Sequence, residues 1–138
     1  MPKKWTRRIS LFEQYPTVAS SLLVGGIVVS QTSLVGAEQP NLHPAVREFV
    51  GSLPARQRQG FNERCAESAL VSDQLWRLDA ERGDGRATTI AEAVPHFEGA
   101  AMMSRLIRPE GDPGHGKPAQ PCAVCASLLE VLHVSVVG

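Results

Sequence analysis

Val18-Ala19-Ser20-Ser21-Leu22-Leu23-Val24-Gly25-Gly26-Ile27-Val28-Val29-Ser30-Gln31-Thr32-Ser33-Leu34 is the stretch on which the fold turns. It has two readings. A basic start (Lys3, Lys4, Arg7, Arg8), an apolar middle and the small residues Gly36-Ala37 resemble a secretory signal. Against this, Glu13, Tyr15 and Pro16 interrupt the basic and apolar parts, and Gly25-Gly26 breaks the apolar run. Ser30, Gln31, Thr32 and Ser33 stud its far half, and no uninterrupted run approaches the roughly 18 residues of a membrane span. The second reading is a β-hairpin. Two β-rich segments flank a Gly-Gly loop that tolerates the positive φ angles of a tight turn. With that turn Leu22 faces Val29 and Leu23 faces Val28, and the pair, apolar on both faces, predicts a sheet covered by helices on both sides. The hairpin is the reading adopted, with residues 1–17 as a basic tail and 18–138 as one domain.

Working outward, residues 44–50 repeat apolar positions at helical spacing with Pro44 in the first turn, and a second short helix is predicted over 54–61. A longer helix follows from about Glu63 to Ala80, with Asn62 as its cap and Cys65, Ala69, Ser72 and Trp76 on one face, which predicts Trp76 in the core. Residues 88–98 fit no single period, and Phe97 there is a candidate for stacking on a base. A third strand is predicted over 100–108, an irregular loop over 109–118, a helix over 121–131 and a last strand over 133–137. Strands and helices in this order form an α/β sandwich around a small mixed sheet.

The chain has 138 residues, 14 Lys+Arg against 14 Asp+Glu, 43% hydrophobic residues and three cysteines. This is a globular composition of single-domain length. Zero net charge argues against an extended grip on duplex DNA through phosphate neutralisation. Three thiols cannot all pair, so a disulfide scaffold is excluded.

Cys122 and Cys125 are three apart, so on a helix they share one face and can grip one ion. Pro121 suits the first position of that helix, and a helix amino terminus favours thiolates. Cys65, from a second helix end, would give three sulfur ligands and leave one tetrahedral position for water, the open arrangement of catalytic zinc. Glu67, two residues on from Cys65, points away from the ligand face and is placed to shuttle protons. Three other readings stay open. His96, His115 or His133 would close a structural Cys3His site serving protein binding. Without metal, the cysteines would be small core residues. His115 and Lys117 are candidates for a substrate phosphate or simply part of a solvated loop.

Cys65-Ala66-Glu67 followed by Pro121-Cys122-Ala123-Val124-Cys125, each opening a helix after strands, resembles the zinc-dependent nucleobase deaminases. With Leu42-His43-Pro44-Ala45-Val46 and Arg64-Cys65-Ala66-Glu67-Ser68-Ala69, the chain is similar to the YwqJ-like deaminases, known largely as domains of bacterial polymorphic toxins. The resemblance implies a three-layer α/β/α cytidine deaminase-like fold and hydrolysis of an amidine C–N bond, cytosine to uracil, in single-stranded DNA or RNA. A free nucleotide or nucleoside is the alternative substrate. It further implies zinc on Cys65, Cys122 and Cys125, with Glu67 passing a proton from water to the ring nitrogen and the leaving ammonia. The backbone at Ala66 would meet the pyrimidine carbonyl and Pro121 would line the pocket. Cys65 stands where the superfamily more often carries His, so the site is one charge more negative and leans harder on Glu67. Where the superfamily often has Asn for the sugar, this chain has Gln31, Thr32 and Ser33, making Thr32 and Ser33 candidates for substrate binding. The implied protein is a monomer without membrane association, in the cytoplasm or delivered into a target cell, with an immunity protein as a candidate partner.

Overall fold

In the computed structural model, residues 17–138 are described; residues 1–16, nearly all of the expected basic tail, lie outside them. The hairpin forms as read. β1 (Val18–Val24) and β2 (Ile27–Thr32) pair antiparallel with Leu22 opposite Val29 and Leu23 opposite Val28. Gly25 and Gly26 turn the chain at φ 57° and 82°, angles that L side chains rarely adopt. β1 also pairs antiparallel with β3 (Ala101–Leu106), and β3 runs parallel to β4 (Ser135–Val137), giving a mixed sheet in the order β2-β1-β3-β4. The fold is α/β, with the sheet opening in the hairpin.

Five helices accompany the sheet among the described residues: α1 (Pro44–Ser52), α2 (Ala55–Arg58), α3 (Ala66–Arg82), α4 (Ile90–Ala93) and α5 (Ala123–Val131). α5 is the crossover that the parallel pair β3–β4 requires. Leu22, Val24 and Met102 from the sheet pack with Leu70, Val71 and Leu75 of α3 and Leu128 and Leu129 of α5 in one buried core. The hairpin's second apolar face differs from expectation. Leu23 and Val28 are 43% and 65% exposed, so the burial that their apolar character implied is not present in the described structure.

Boundaries moved for local reasons. Asn62 does not cap a helix starting at Glu63: its Oδ1 accepts from the Arg64 N–H at 3.0 Å, and Glu63 takes φ 65°. This turn delays α3 until Ala66, with Cys65 as its cap residue. Gly83, at φ 69°, ends it. The second helix shrinks to one turn, and Gly60 at φ 82° follows it. The unassigned 88–98 segment is α4 followed by a 3-10 turn, Val94–Phe97, started by a capping box in which Thr89 and Glu92 bond each other's backbone. Phe97 is fully buried in the core, which removes it as a stacking platform. Trp76 is the converse: it is 36% exposed, lies edge-on to His43, and donates from Nε1 to the Asn41 carbonyl at 3.0 Å. Its polar edge holds it at the surface, so it is not a core residue.

Candidate active site

Two helix amino termini meet at the end of the central strands. Cys65 stands immediately before α3, and Cys122 immediately before α5, which begins at Ala123, two residues later than the expected start at Pro121. The approach to Cys65 is pinned. Leu34 N–H donates to the Arg64 carbonyl at 3.0 Å, and the Arg64 guanidinium donates to the Gly36 carbonyl at 2.8 Å. Cys122 arrives through residues 116–119, which run beside β3: Leu106 N–H donates to the Lys117 carbonyl at 2.8 Å and Ala119 N–H to the Ser104 carbonyl at 2.9 Å. Backbone pairing thus aims both segments at one point.

The Sγ atoms of Cys65, Cys122 and Cys125 all lie within 4.8 Å of one another, and those of Cys65 and Cys122 are 3.9 Å apart. Sulfurs about 2.3 Å from a tetrahedral zinc stand about 3.8 Å apart, so the three donors fit that ion without large rearrangement. Cys122 Sγ accepts from the Cys125 N–H at 3.4 Å. The hydrogen bonds from Cys125 and Cys65 hold the Cys122 thiol far below its ordinary range, while sharing with Cys122 pushes the thiols of Cys65 and Cys125 up. Cys122 stands at the positive end of a helix, a position that favours a thiolate. Among the described residues the metal-capable group is these three cysteines alone. None of the three candidate histidines joins that group: His96 hydrogen-bonds to Gln74 Oε1, His115 accepts from the Arg108 N–H, and His133 stands exposed.

A cavity of about 200 Å³ opens beside the cluster, lined by Ser33, Asn62, Arg64, Cys65, Glu67 and Cys122 among others. Glu67 is 5% exposed, and its Oε2 accepts from Ser104 Oγ at 2.8 Å. Ser33 is held at the rim, where its Oγ accepts from the N–H groups of Thr17 and Val18 at 2.9 and 3.2 Å. Of the residues singled out from sequence, Cys65, Cys122, Glu67, Ala66 and Ser33 line this cavity, and Cys125 stands behind it in the cluster. Thr32, Pro121 and His115 are not among the lining residues; Thr32 is an exposed end of β2 and His115 an exposed loop residue. Asn62, Arg64 and Gln120 also line it, although the sequence gives none of them a site role: Asn62 reads as a helix cap and Arg64 only as the start of the Cys65 motif.

The sequence profile of the YwqJ-like deaminases matches residues 8–134, nearly the whole chain. The chain belongs to the YwqJ-like deaminase family. No curated protein and no solved structure matches it. For a YwqJ-like deaminase the arrangement has a direct chemical sense: three sulfur donors, a buried carboxylate and a cavity share one end of the sheet. No helix among the described residues is long and apolar enough to cross a membrane.

Proposed function

We propose that this deaminase hydrolyses cytosine to uracil in single-stranded nucleic acid, with one unpaired base entering the cavity beside Glu67. The observation that carries the reading is the half-satisfied Glu67 carboxylate: Oε2 is bound to Ser104, no hydrogen bond from the described residues occupies Oε1, and the residue lines a cavity it shares with Cys65 and Cys122. Cys65, Cys122 and Cys125 would hold zinc, which when bound supplies Lewis-acid activation of a water molecule. Glu67 Oε1 takes a proton from the attacking water, delivers it to the ring nitrogen, and later assists ammonia as it leaves. The site carries three thiols in place of a mixed His and Cys set, so more of the proton chemistry falls on Glu67. Ala66 and Ser33, which both line the cavity, are the candidates to bind the base and the sugar.

A free nucleoside or nucleotide is the second reading, favoured by the small cavity and the zero net charge. A substrate panel separates the two. Zinc-loaded protein is offered a cytosine-containing single strand as DNA and as RNA, then cytidine and its monophosphate, and uracil is read by mass. Turnover of the strands, abolished in Glu67→Ala, is expected. Turnover of the free compounds alone transfers the assignment to the second reading, and no turnover of any substrate rejects both.

A further inference from the structure

The inner face of the sheet carries two hydroxyls where apolar residues would pack. Alternation along β1 turns Ser20, Leu22 and Val24 inward, and along β3 Met102 and Ser104; all five are buried. Ser20 and Ser104 are direct cross-strand partners, 2% and 3% exposed, with their Oγ atoms 2.6 Å apart. A buried hydroxyl pair of this kind is costly unless its hydrogens are used. Here the accounting has one solution. Ser104 Oγ donates its single hydrogen to Glu67 Oε2 at 2.8 Å. Ser104 then has none left for Ser20, so Ser20 donates to Ser104. The order Ser20 to Ser104 to Glu67 is fixed in direction and shielded from water.

We infer that Ser104, braced by Ser20, is the positioning residue for Glu67, fixing its carboxylate so that Oε1 alone faces the cavity. The inference rests on Glu67 being the proton carrier, and it adds what sets that group's orientation. Glu67 sits in the first turn of α3, on a side chain with three rotatable bonds. Anchoring one oxygen to the central strand pair removes that freedom before substrate arrives, which is where orientation lowers a barrier. Ser104 itself is buried behind the carboxylate and does not line the cavity.

The test uses the full chain loaded with zinc, with Ser104→Ala, Ser104→Thr and Ser20→Ala measured on the cytosine strand. Ser104→Ala is expected to lower kcat by about 10–100-fold with KM within about twofold, the scale seen when a supporting hydrogen bond to a working group is removed. Ser104→Thr, which keeps the hydroxyl, recovers most of the rate, and Ser20→Ala shows a smaller loss in the same direction. A Ser104→Ala enzyme with wild-type kcat overturns the inference, as does a loss confined to KM. Thermal melting supplies a readout that needs no turnover. Ser104→Ala should lower Tm in the wild-type background and lower it clearly less in the Glu67→Ala background, where only Ser20 loses its partner and there is no carboxylate to serve. Equal losses in both backgrounds overturn the anchoring. A wild-type enzyme that turns over nothing, with this melting asymmetry intact, rejects the substrate reading and keeps the anchor.

Discussion

α3 carries a carboxylate near each end, Glu67 buried and Asp79 half-buried, and the two are treated in opposite ways. Asp79, near the carboxy terminus, is saturated: Oδ1 accepts from the Thr88 N–H and Thr88 Oγ at 2.7 and 2.6 Å, and Oδ2 bonds His43 Nε2 at 2.7 Å. His43, fully buried, is equally committed. Its Nδ1 accepts from the Ala45 N–H at 3.0 Å to cap α1, and its own N–H donates to Ser72 Oγ at 3.1 Å. With Nδ1 accepting, the ring donates from Nε2. Glu67, in the first turn, has one oxygen bound and lines a cavity. By residue type, the His–Asp pair is the more catalytic-looking of the two. By hydrogen-bond accounting it is a clamp tying α1 and the 84–89 loop to α3, because both carboxylate oxygens and both ring nitrogens are already engaged within the protein. A carboxylate with both oxygens engaged is scaffold, and one with an oxygen to spare beside a cavity is chemistry.

Exchanging damage between the two ends should therefore give crossed results. Glu67→Gln is expected to cost about 10²–10⁴-fold in kcat with little change in Tm. Asp79→Ala is expected to cost about 2–4 kcal/mol of unfolding free energy, since it strands His43 and Thr88. Its kcat per folded molecule should match wild type below the transition. Urea melts and kinetics on the same preparations check both. If Asp79→Ala abolishes turnover while still folded, the distinction between clamp and site breaks.

The sequence carried the hairpin down to its register because alternation and a Gly-Gly turn are local signals, and Leu22 opposite Val29 follows from them alone. The gathering of Cys65, Cys122 and Cys125 was also legible, since two short motifs state it through residue types that have few other uses. Ser104 was not. It lies 37 residues from Glu67, and a serine in a strand carries no pattern until its neighbours show it pointing into an apolar core. The available clue was a polar residue at an inward position, Ser20 beside Leu22 and Val24. The helix starts were misplaced for a related reason. Cysteine is not among the usual cap residues, so Asn62 and Pro121 drew attention from Cys65 and Cys122. The capping box at Thr89 and Glu92, by contrast, was present in the sequence as Thr-x-x-Glu and went unused.

Acid sharpens the clamp half of the comparison with a smaller effect. Burial pushes the Asp79 carboxyl up, and the bonds from Thr88 and His43 more than offset this, bringing it from 3.8 to about 2. The folded state therefore binds fewer protons than the unfolded chain between those values. The stability this group contributes is complete above the ordinary Asp range and is lost as pH falls through about 2. Glu92 is also held at about 2, chiefly by its hydrogen bond from Arg86, but that pair is exposed and salt screens it. At high salt, the stability deficit of Asp79→Asn should be full at pH 5 and shrink toward pH 2. A deficit that stays constant over that range would show that the carboxylate's charge contributes nothing to the clamp.

Trp76 gives the smallest effect and locates the clamp's edge. Its ring lies 4.6 Å from His43, tilted by 62°, and its Nε1–H is bonded to the Asn41 carbonyl at a half-open surface. Trp76→Phe keeps an aromatic edge against His43 and gives up one hydrogen bond that water can replace on both sides. The expected cost is about 0.5–1 kcal/mol, or about 2–4 °C in Tm, with kcat unchanged. Trp76→Ala removes the edge contact as well, and the difference between the two variants measures what the ring adds to His43. If that difference is small, Asp79 and Ala45 alone orient the histidine and the clamp ends at its hydrogen bonds. If Trp76→Phe alone costs as much as Asp79→Ala, the surface indole is part of the clamp, and the saturated carboxylate is not what holds this end of α3.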